Sequence, residues 1–413
     1  MIPRVSRILL AAGVVGLSLS GCGSAPVSAP VSSSGVFQSS TGTVVLEEAP
    51  ELTPEQQAIL DRRTRREEEL LSRPLTAESA AEIALLHNPA VERALETLGL
   101  PGFDRLVIAH TLNPDFNNGQ PPRTTDTRIE RSLSVNVMTW LSVPALGPVT
   151  TVEERAGRVQ AANEVGALLF AARRAWVSAV AARQAVRYLE DVLAAAEVSR
   201  EIVESMRQVG NASEVDLLRA QALYGDAVAR LTAAQVAAAV ERERLVQMLG
   251  LWSADAERVQ IPDRLPNLPA NALGPDGLEA RAVSHRFDVQ AGRVEGLSGE
   301  AGVNARADVR TAWLTYRGAY DLARHSRDAL LPLAERMSAE QLKLYNGMLI
   351  GVLDLIADAQ TRITAVNAAM EAERDFWLAE IDLQRAMAGV GAPAGVVPGV
   401  PGAFQPGAAY HVH

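Results

Sequence analysis

Apolar residues recur along most of this chain with helical spacing. From Thr151 to Gln208 no proline occurs and alanine and arginine dominate, which predicts a single helix of about 85 Å at ~1.5 Å per residue. After a glycine turn, residues 215–239 carry two interleaved seams, both with 3-4 spacing. One runs through Val215, Leu218, Ala222, Gly225, Ala229, Thr232, Val236 and Ala239; the other through Leu217, Ala220, Tyr224, Ala227, Leu231, Ala234 and Ala238. The seams are offset by two residues, about 200° round the helix, so they face opposite ways. A helix with one seam pairs once, whereas a helix with opposed seams has a neighbour on each side. Such helices close into a hollow cylinder.

The hairpin is duplicated. Trp176, Gly210 and Val215 reappear as Trp313, Gly347 and Val352, each 137 residues later. Self-similarity at a fixed offset marks a repeated structural unit, and the second hairpin is expected over roughly 304–346 and 349–388. Both copies end in glycine, at Gly250 and Gly389. A shorter unit repeats as well: Thr76 caps a helix that reaches His87, and residues 282–289 are its counterpart around His285, offset by 198. Between Leu133 and Val143 the period changes to two. Leu133, Val135, Val137, Thr139, Leu141 and Val143 alternate with Ser134, Asn136, Met138, Trp140 and Ser142, which predicts a strand with Phe103 to Leu112 as its partner. Strands of this length suit a membrane barrel or a soluble hairpin equally. The expected fold class is mainly α, with duplicated long helical hairpins forming a coiled-coil α-barrel and a small antiparallel β-hairpin at about 103–144 from the first repeat.

Composition narrows the function. Of 413 residues 48% are hydrophobic but only 4% aromatic, so the helices pack through small side chains. The formal charge of −10 argues against nucleic acid as a partner. No CxxC, HExxH, phosphate-binding loop or Gly-x-Ser-x-Gly elbow occurs, and the carboxylates follow helix-surface spacing; the chain reads as a non-enzyme needing no cofactor. His87 and His285 read as helix-end residues rather than metal ligands, and no metal site is expected.

The only cysteine is Cys22. Arg4 and Arg7 precede an apolar run from Ile8 to Leu19, and Leu19-Ser20-Gly21-Cys22 resembles the bacterial lipobox. That resemblance implies cleavage before Cys22 and acylation of its thiol. The domain reading is a signal peptide (1–21), a lipid tether and linker (22–50), a first repeat (51–260), a proline-rich linker (261–277), a second repeat (278–389) and a disordered tail (390–413). The first repeat comprises the short helix, the β-hairpin and a long hairpin at about 151–250.

Leu75-Thr76-Ala77-Glu78 through His87-Asn88-Pro89, and Arg207-Gln208-Val209-Gly210-Asn211-Ala212-Ser213-Glu214-Val215-Asp216, are similar to the opening and hairpin-turn motifs of the TolC family of outer-membrane efflux proteins. Met248-Leu249-Gly250 and Arg264-Leu265-Pro266 resemble that family's repeat end and linker. The resemblance implies a trimeric tunnel through the periplasm, joined to a β-barrel in the outer membrane of a Gram-negative bacterium. Its partners would be a periplasmic adaptor (membrane fusion protein), an inner-membrane pump and outer-membrane lipid. The adaptor-facing tips would be Arg207, Gly210, Ser213, Val215 and Asp216 in one hairpin and Gly347, Gly351 and Val352 in the other. Those residues also read as simple helix termination, with glycine in a left-handed cap and Ser213 with Asp216 as a capping box. Asp354 and Asp358, four apart, would form acidic rings at a pore constriction or lie on a solvated face. One departure stands out: His87 to Trp176 spans 89 residues but His285 to Trp313 only 28, so the second repeat lacks the interval that holds strands in the first. The leading expectation is a passive trimeric conduit for small molecules or metal ions. The alternative is a non-conducting, lipid-anchored periplasmic coiled-coil scaffold.

Overall fold

A computed structural model of the chain describes residues 37–39, 42–44, 54–99, 133–149, 151–295 and 298–391. Two units separate, Met1–Thr53 and Pro54–His413. In the first, β1 (Phe37–Ser39) pairs antiparallel with β2 (Gly42–Val44), Phe37 opposite Val44. This small hairpin falls inside the segment expected to be a tether.

The second unit carries no strand among its described residues and is mainly helical. Its described residues begin with α1 (Pro54–Leu71), α2 (Ala77–His87) and α3 (Pro89–Thr97). Next come α4 (Leu133–Leu146), α5 (Val152–Gln208), α6 (Glu214–Leu249) and the single turn α7 (Ala254–Glu257). The second repeat comprises α8 (Leu278–His285), α9 (Phe287–Glu295), α10 (Ser298–His325), a π-helical turn (Ser326–Leu330), α11 (Leu331–Asn346) and α12 (Val352–Ala388).

Where a strand was expected, residues 133–146 form α4. The alternation there was incomplete, because Met138 and Trp140 occupy two of its nominally polar positions. Val137, Met138, Leu141 and Ala145 are buried, a set that lies along one face of a helix and not of a strand. Packing against α5 decides the outcome: Met138 sits over Gly166, where a Cβ would collide with its sulfur. The expected partner strand, 103–112, lies outside the described residues. In the second repeat only residues 296 and 297 separate α9 from α10.

Side-chain hydrogen bonds reproduce the duplication. Trp176 Nε1 donates to the carbonyl of Leu75 at 2.8 Å, and Trp313 Nε1 donates to that of Leu273 at 3.2 Å. The donors are offset by 137 and the acceptors by 198, the two periods read from the sequence. The hairpin ends match too. Gly250 (φ +74°) closes α6 against the break between α2 and α3, and Gly389 (φ +70°) closes α12 against the break between α8 and α9. A Cβ on Gly250 would stand 2.6 Å from the Asn88 Cα, and one on Gly389 would stand 2.8 Å from the Arg286 Cβ.

The proline-rich segment 261–277 is a strap pinned by aromatic residues. Trp377 donates to the Pro266 carbonyl at 3.1 Å, the Tyr320 hydroxyl to that of Ala270 at 2.9 Å, and the Leu273 amide to the Tyr316 hydroxyl at 3.1 Å. These rings cluster around Phe376, with centroids 5.1–5.7 Å away. Asp263 anchors the strap to α5 through Arg183 and Arg187, both at 2.7 Å. The tail begins with ordered contacts, since Val390 is buried and the Gly391 amide donates to Asn163 at 2.9 Å. Residues 392–413 and Cys22 lie outside the described residues.

Among the long helices, α6 packs on α5, α5 on α12, and α12 on α10 and α11. The result is a layer with α6 at one edge and α10–α11 at the other. Part of α5 is long and apolar enough to cross a bilayer, but most of that stretch is buried inside the protein.

Candidate functional site

The first tip is built by two interlocking caps. Gly210 adopts φ +78°, its amide donates to the Arg207 carbonyl at 3.0 Å, and the Asn211 amide reaches the Met206 carbonyl at 2.8 Å. This paired closure satisfies the last carbonyls of α5 and needs one left-handed residue, which glycine supplies without a Cβ clash. Ser213 then caps α6. Its hydroxyl accepts from the Asp216 amide at 3.2 Å, while Asp216 accepts from the Ser213 amide at 2.8 Å. The backbone and hydroxyl bonds from Ser213 hold the Asp216 carboxyl below the usual carboxylate range. Arg207 and Glu214 bridge the turn at 2.5 Å, and Val215 is exposed.

The second tip has the same geometry moved on by one residue. Gly347 has φ −81°, and the left-handed position falls on Met348, φ +59°. The Met348 amide bonds the Tyr345 carbonyl and the Leu349 amide bonds the Leu344 carbonyl, both at 2.9 Å. Gly351 precedes α12 and its amide donates to Asp354 at 2.9 Å, but glycine has no side chain to complete the exchange. Thus Gly347 is not the left-handed cap that the 137-residue offset implied. The tips match at an offset of 138, with Ser213 on Gly351 and Asp216 on Asp354. The π-helical turn at Ser326–Leu330 lies between the tryptophan and the tip of the second repeat, where one extra residue has to be absorbed.

Asp354 therefore points back to its own helix start. Asp358, one turn on, accepts from Ser338 of α11 at 2.6 Å. Both acids have partners within the chain. Val352 of the second tip and Ala212 of the first both pack on the buried cluster that includes Leu217 and Ile356.

The seams separate cleanly. Leu217, Ala220, Ala227 and Leu231 are buried against α5, with Tyr224, Ala234 and Ala238 partly buried. Every member of the other seam is exposed; Val215, Leu218 and Val236 are 52–60% accessible. The sequence reading did not find a second exposed row, on α11: Leu330, Leu333, Met337, Leu344 and Met348, the last 93% accessible. Spacings of three, four and seven were there to be counted, but the row crosses the π-helical turn and ends on a residue assigned to the loop.

Elsewhere, a cleft of about 570 Å³ lies between α5, the strap and the π-helical turn, lined in part by Arg187, Arg264, Arg327 and Glu373. Burial raises the Glu373 carboxyl above its ordinary range, against a hydrogen bond from Gln184 and the charges of Arg264 and Arg327. His87 ends α2 and contacts Glu67 at 3.3 Å, and His285 ends α8 beside Ser284. Among the described residues no three His, Cys, Asp or Glu side chains gather as a metal site would require.

No protein-family model matches the chain, and no curated protein matches it by sequence. Solved structures do match by fold. A membrane protein from Pseudomonas aeruginosa aligns with TM-score 0.53 at 14% identity, covering 75% of this chain and 93% of that one. The CmeC outer membrane channel of Campylobacter jejuni gives 0.52 at 11% identity, covering 76% and 85%. The outer membrane protein VceC of Vibrio cholerae gives 0.50 at 14% identity, covering 76% and 96%. At such identities the likeness shows the fold alone, and this chain folds as those three proteins do.

Proposed function

We propose that the chain is the outer-membrane component of a tripartite efflux or secretion system, a passive conduit made by several copies, with three as the expected number. The observation that carries this reading is the fully exposed apolar seam of α6, opposite a seam already filled by α5. A single copy leaves that row in water, and a neighbour on the far side removes it, extending the helical layer into a tube. In this reading Cys22 carries a lipid in the outer membrane and the helical body stands in the periplasm. The tips at Gly210, Ser213, Gly351 and Val352 face an adaptor that connects to an inner-membrane pump. The likeness in fold to the outer membrane channel CmeC and the outer membrane protein VceC supports this placement. The chain conducts passively, and substrate choice belongs to the pump.

The test is deletion in the native cells. Loss of the protein should sensitise them to at least one toxic compound or metal ion. Unchanged sensitivity with every candidate pump expressed would contradict the proposal.

A second reading, a non-conducting scaffold, is favoured by α4. A membrane-crossing sheet must close on itself, and helix now occupies 133–146 while α9 runs almost directly into α10. One strand pair per copy would give a trimer six strands, below the roughly eight of the smallest bacterial barrels. The conduit reading therefore has the helical tube abutting the membrane, held there by the Cys22 lipid. Purified protein in planar bilayers should be electrically silent on its own; stable single-channel currents would show that the chain completes a barrel unaided.

A further inference from the structure

We propose that the cleft between α5, the strap and the π-helical turn binds a small anionic amphiphile, an apolar body whose single anionic head is received by Arg264 and Arg327. The site lies wholly within one copy, so it does not depend on how copies assemble. Three observations carry it.

The cleft has the size and walls of a small-molecule site. Its volume of about 570 Å³ falls within the ~300–1,000 Å³ typical of ligand pockets. Leu268 of the strap, Leu331 beyond the π-helical turn, and Val366 and Met370 of α12 supply apolar surface. One wall, α5, belongs to the first repeat, and α12 and the π-helical turn belong to the second. An occupant therefore touches both repeats and the strap that joins them.

The charges around the mouth favour an anion. Arg187, Tyr188 and Asp191 line the cleft from α5, Asp263 and Arg264 from the strap, and Arg327 from the π-helical turn. Arg187 shares Asp263 with Arg183, and Arg327 shares Asp328 with Arg324, so each of these aspartates is outnumbered by its arginines. Arg264 is exposed and, among the described residues, takes part in no hydrogen bond or ion pair. Positive charge is in surplus even with Asp191 set against it. Guanidinium groups bind anionic oxygens through short, charge-assisted hydrogen bonds.

The acid inside the cleft completes the match. The half-buried Glu373 carboxyl accepts from Gln184 and feels the charges of Arg264 and Arg327, yet burial raises its pKa. A neutral Glu373 leaves Arg264 without a counterion inside the cleft, and its own hydroxyl can donate to an anionic head.

The test uses the full-length protein in lipid nanodiscs and naphthalene-2-sulfonate, an anion that neither forms micelles nor titrates in the working range. Calorimetry should find one equivalent bound per chain, with the trimethylammonium analogue of the same ring at least about tenfold weaker. Equal or tighter binding of the cation, or no binding of the anion to a chain free of bound lipid, would overturn the proposal. Arg264→Glu should weaken the anion by at least about tenfold, from like charges brought together, and Arg264→Lys should retain most of the affinity. An anion indifferent to Arg264→Glu would be sitting on the exposed apolar rows instead, which overturns the site. The pH profile locates the head. As pH rises through the folded pKa of Glu373 the carboxylate that forms repels the sulfonate, so native affinity should fall, whereas Glu373→Gln should bind without that fall. A native affinity independent of pH contradicts a head beside Glu373. Mass spectrometry of the protein released directly from its native membranes separates the two sources of such a ligand. An anionic lipid held by the native chain but not by Arg264→Glu makes the membrane the source; an empty native chain that naphthalene-2-sulfonate fills makes it a site for a solute.

Discussion

Three glycines that look alike in the sequence do different work. Gly250 combines φ +74° with a backbone neighbour 2.6 Å from where a Cβ would sit, so Gly250→Ala should cost more than the ~1–2 kcal/mol of a left-handed alanine. Gly210 is left-handed but faces open space, and Gly210→Ala should cost only that ~1–2 kcal/mol. Gly347 has an ordinary φ, with contacts no closer than 3.4 Å, and Gly347→Ala should be close to neutral. Urea unfolding of the three variants checks that order; equal losses would contradict the assigned backbone. The half-buried Glu373 makes a prediction in pH. Its raised pKa means that the folded state holds the proton more tightly than the unfolded chain, whose glutamate titrates near ~4.3. Its stabilising contribution is thus complete below that value and is lost as pH rises through the folded pKa. Glu67 runs the other way, its pKa lowered by the hydrogen bond with His87, so its contribution is lost as pH falls. Glu373→Gln should therefore raise the melting temperature at pH 7 and leave it unchanged at pH 4. A gain at both pH values would point to packing instead of ionisation.

At the scale of elements, the long hairpins, their glycine ends and the opposed seams of α6 were legible in the sequence, because each rests on local periodicity over many turns. The capping box of Ser213 and Asp216 was legible too, since its bonds join residues three apart. Two things were not. Residues 133–143 showed a period of two that tertiary packing overrode, for neither Met138 nor Trp140 supplies the polar face a half-buried strand needs. The extra residue of the second repeat was hidden because Gly210 and Gly347 coincide at the offset set by the tryptophans, although the caps do not. The π-helical turn, with Pro332 just beyond it lacking an N–H to donate, takes up the difference. Deleting Ala329 should convert that turn to regular α-helix and leave α11 in register, with near-native helicity and melting temperature. Deleting Ala194 in the uninterrupted α5 should rotate every later residue by about 100° and abolish cooperative unfolding. Equal tolerance of both deletions would show that the turn is not where the residue is absorbed.

At the scale of the whole molecule the central claim is closure. Apolar rows on α6 and on α11 lie in solvent, and a chain that worked alone would have no use for either. A closed ring satisfies both rows in every copy, each copy offering a different edge on either side. Electron-microscopy class averages of the purified, full-length protein in detergent test this directly. The account predicts end views that are closed rings of a few copies around an open lumen; monomers, or two-fold pairs with a filled centre, would contradict it.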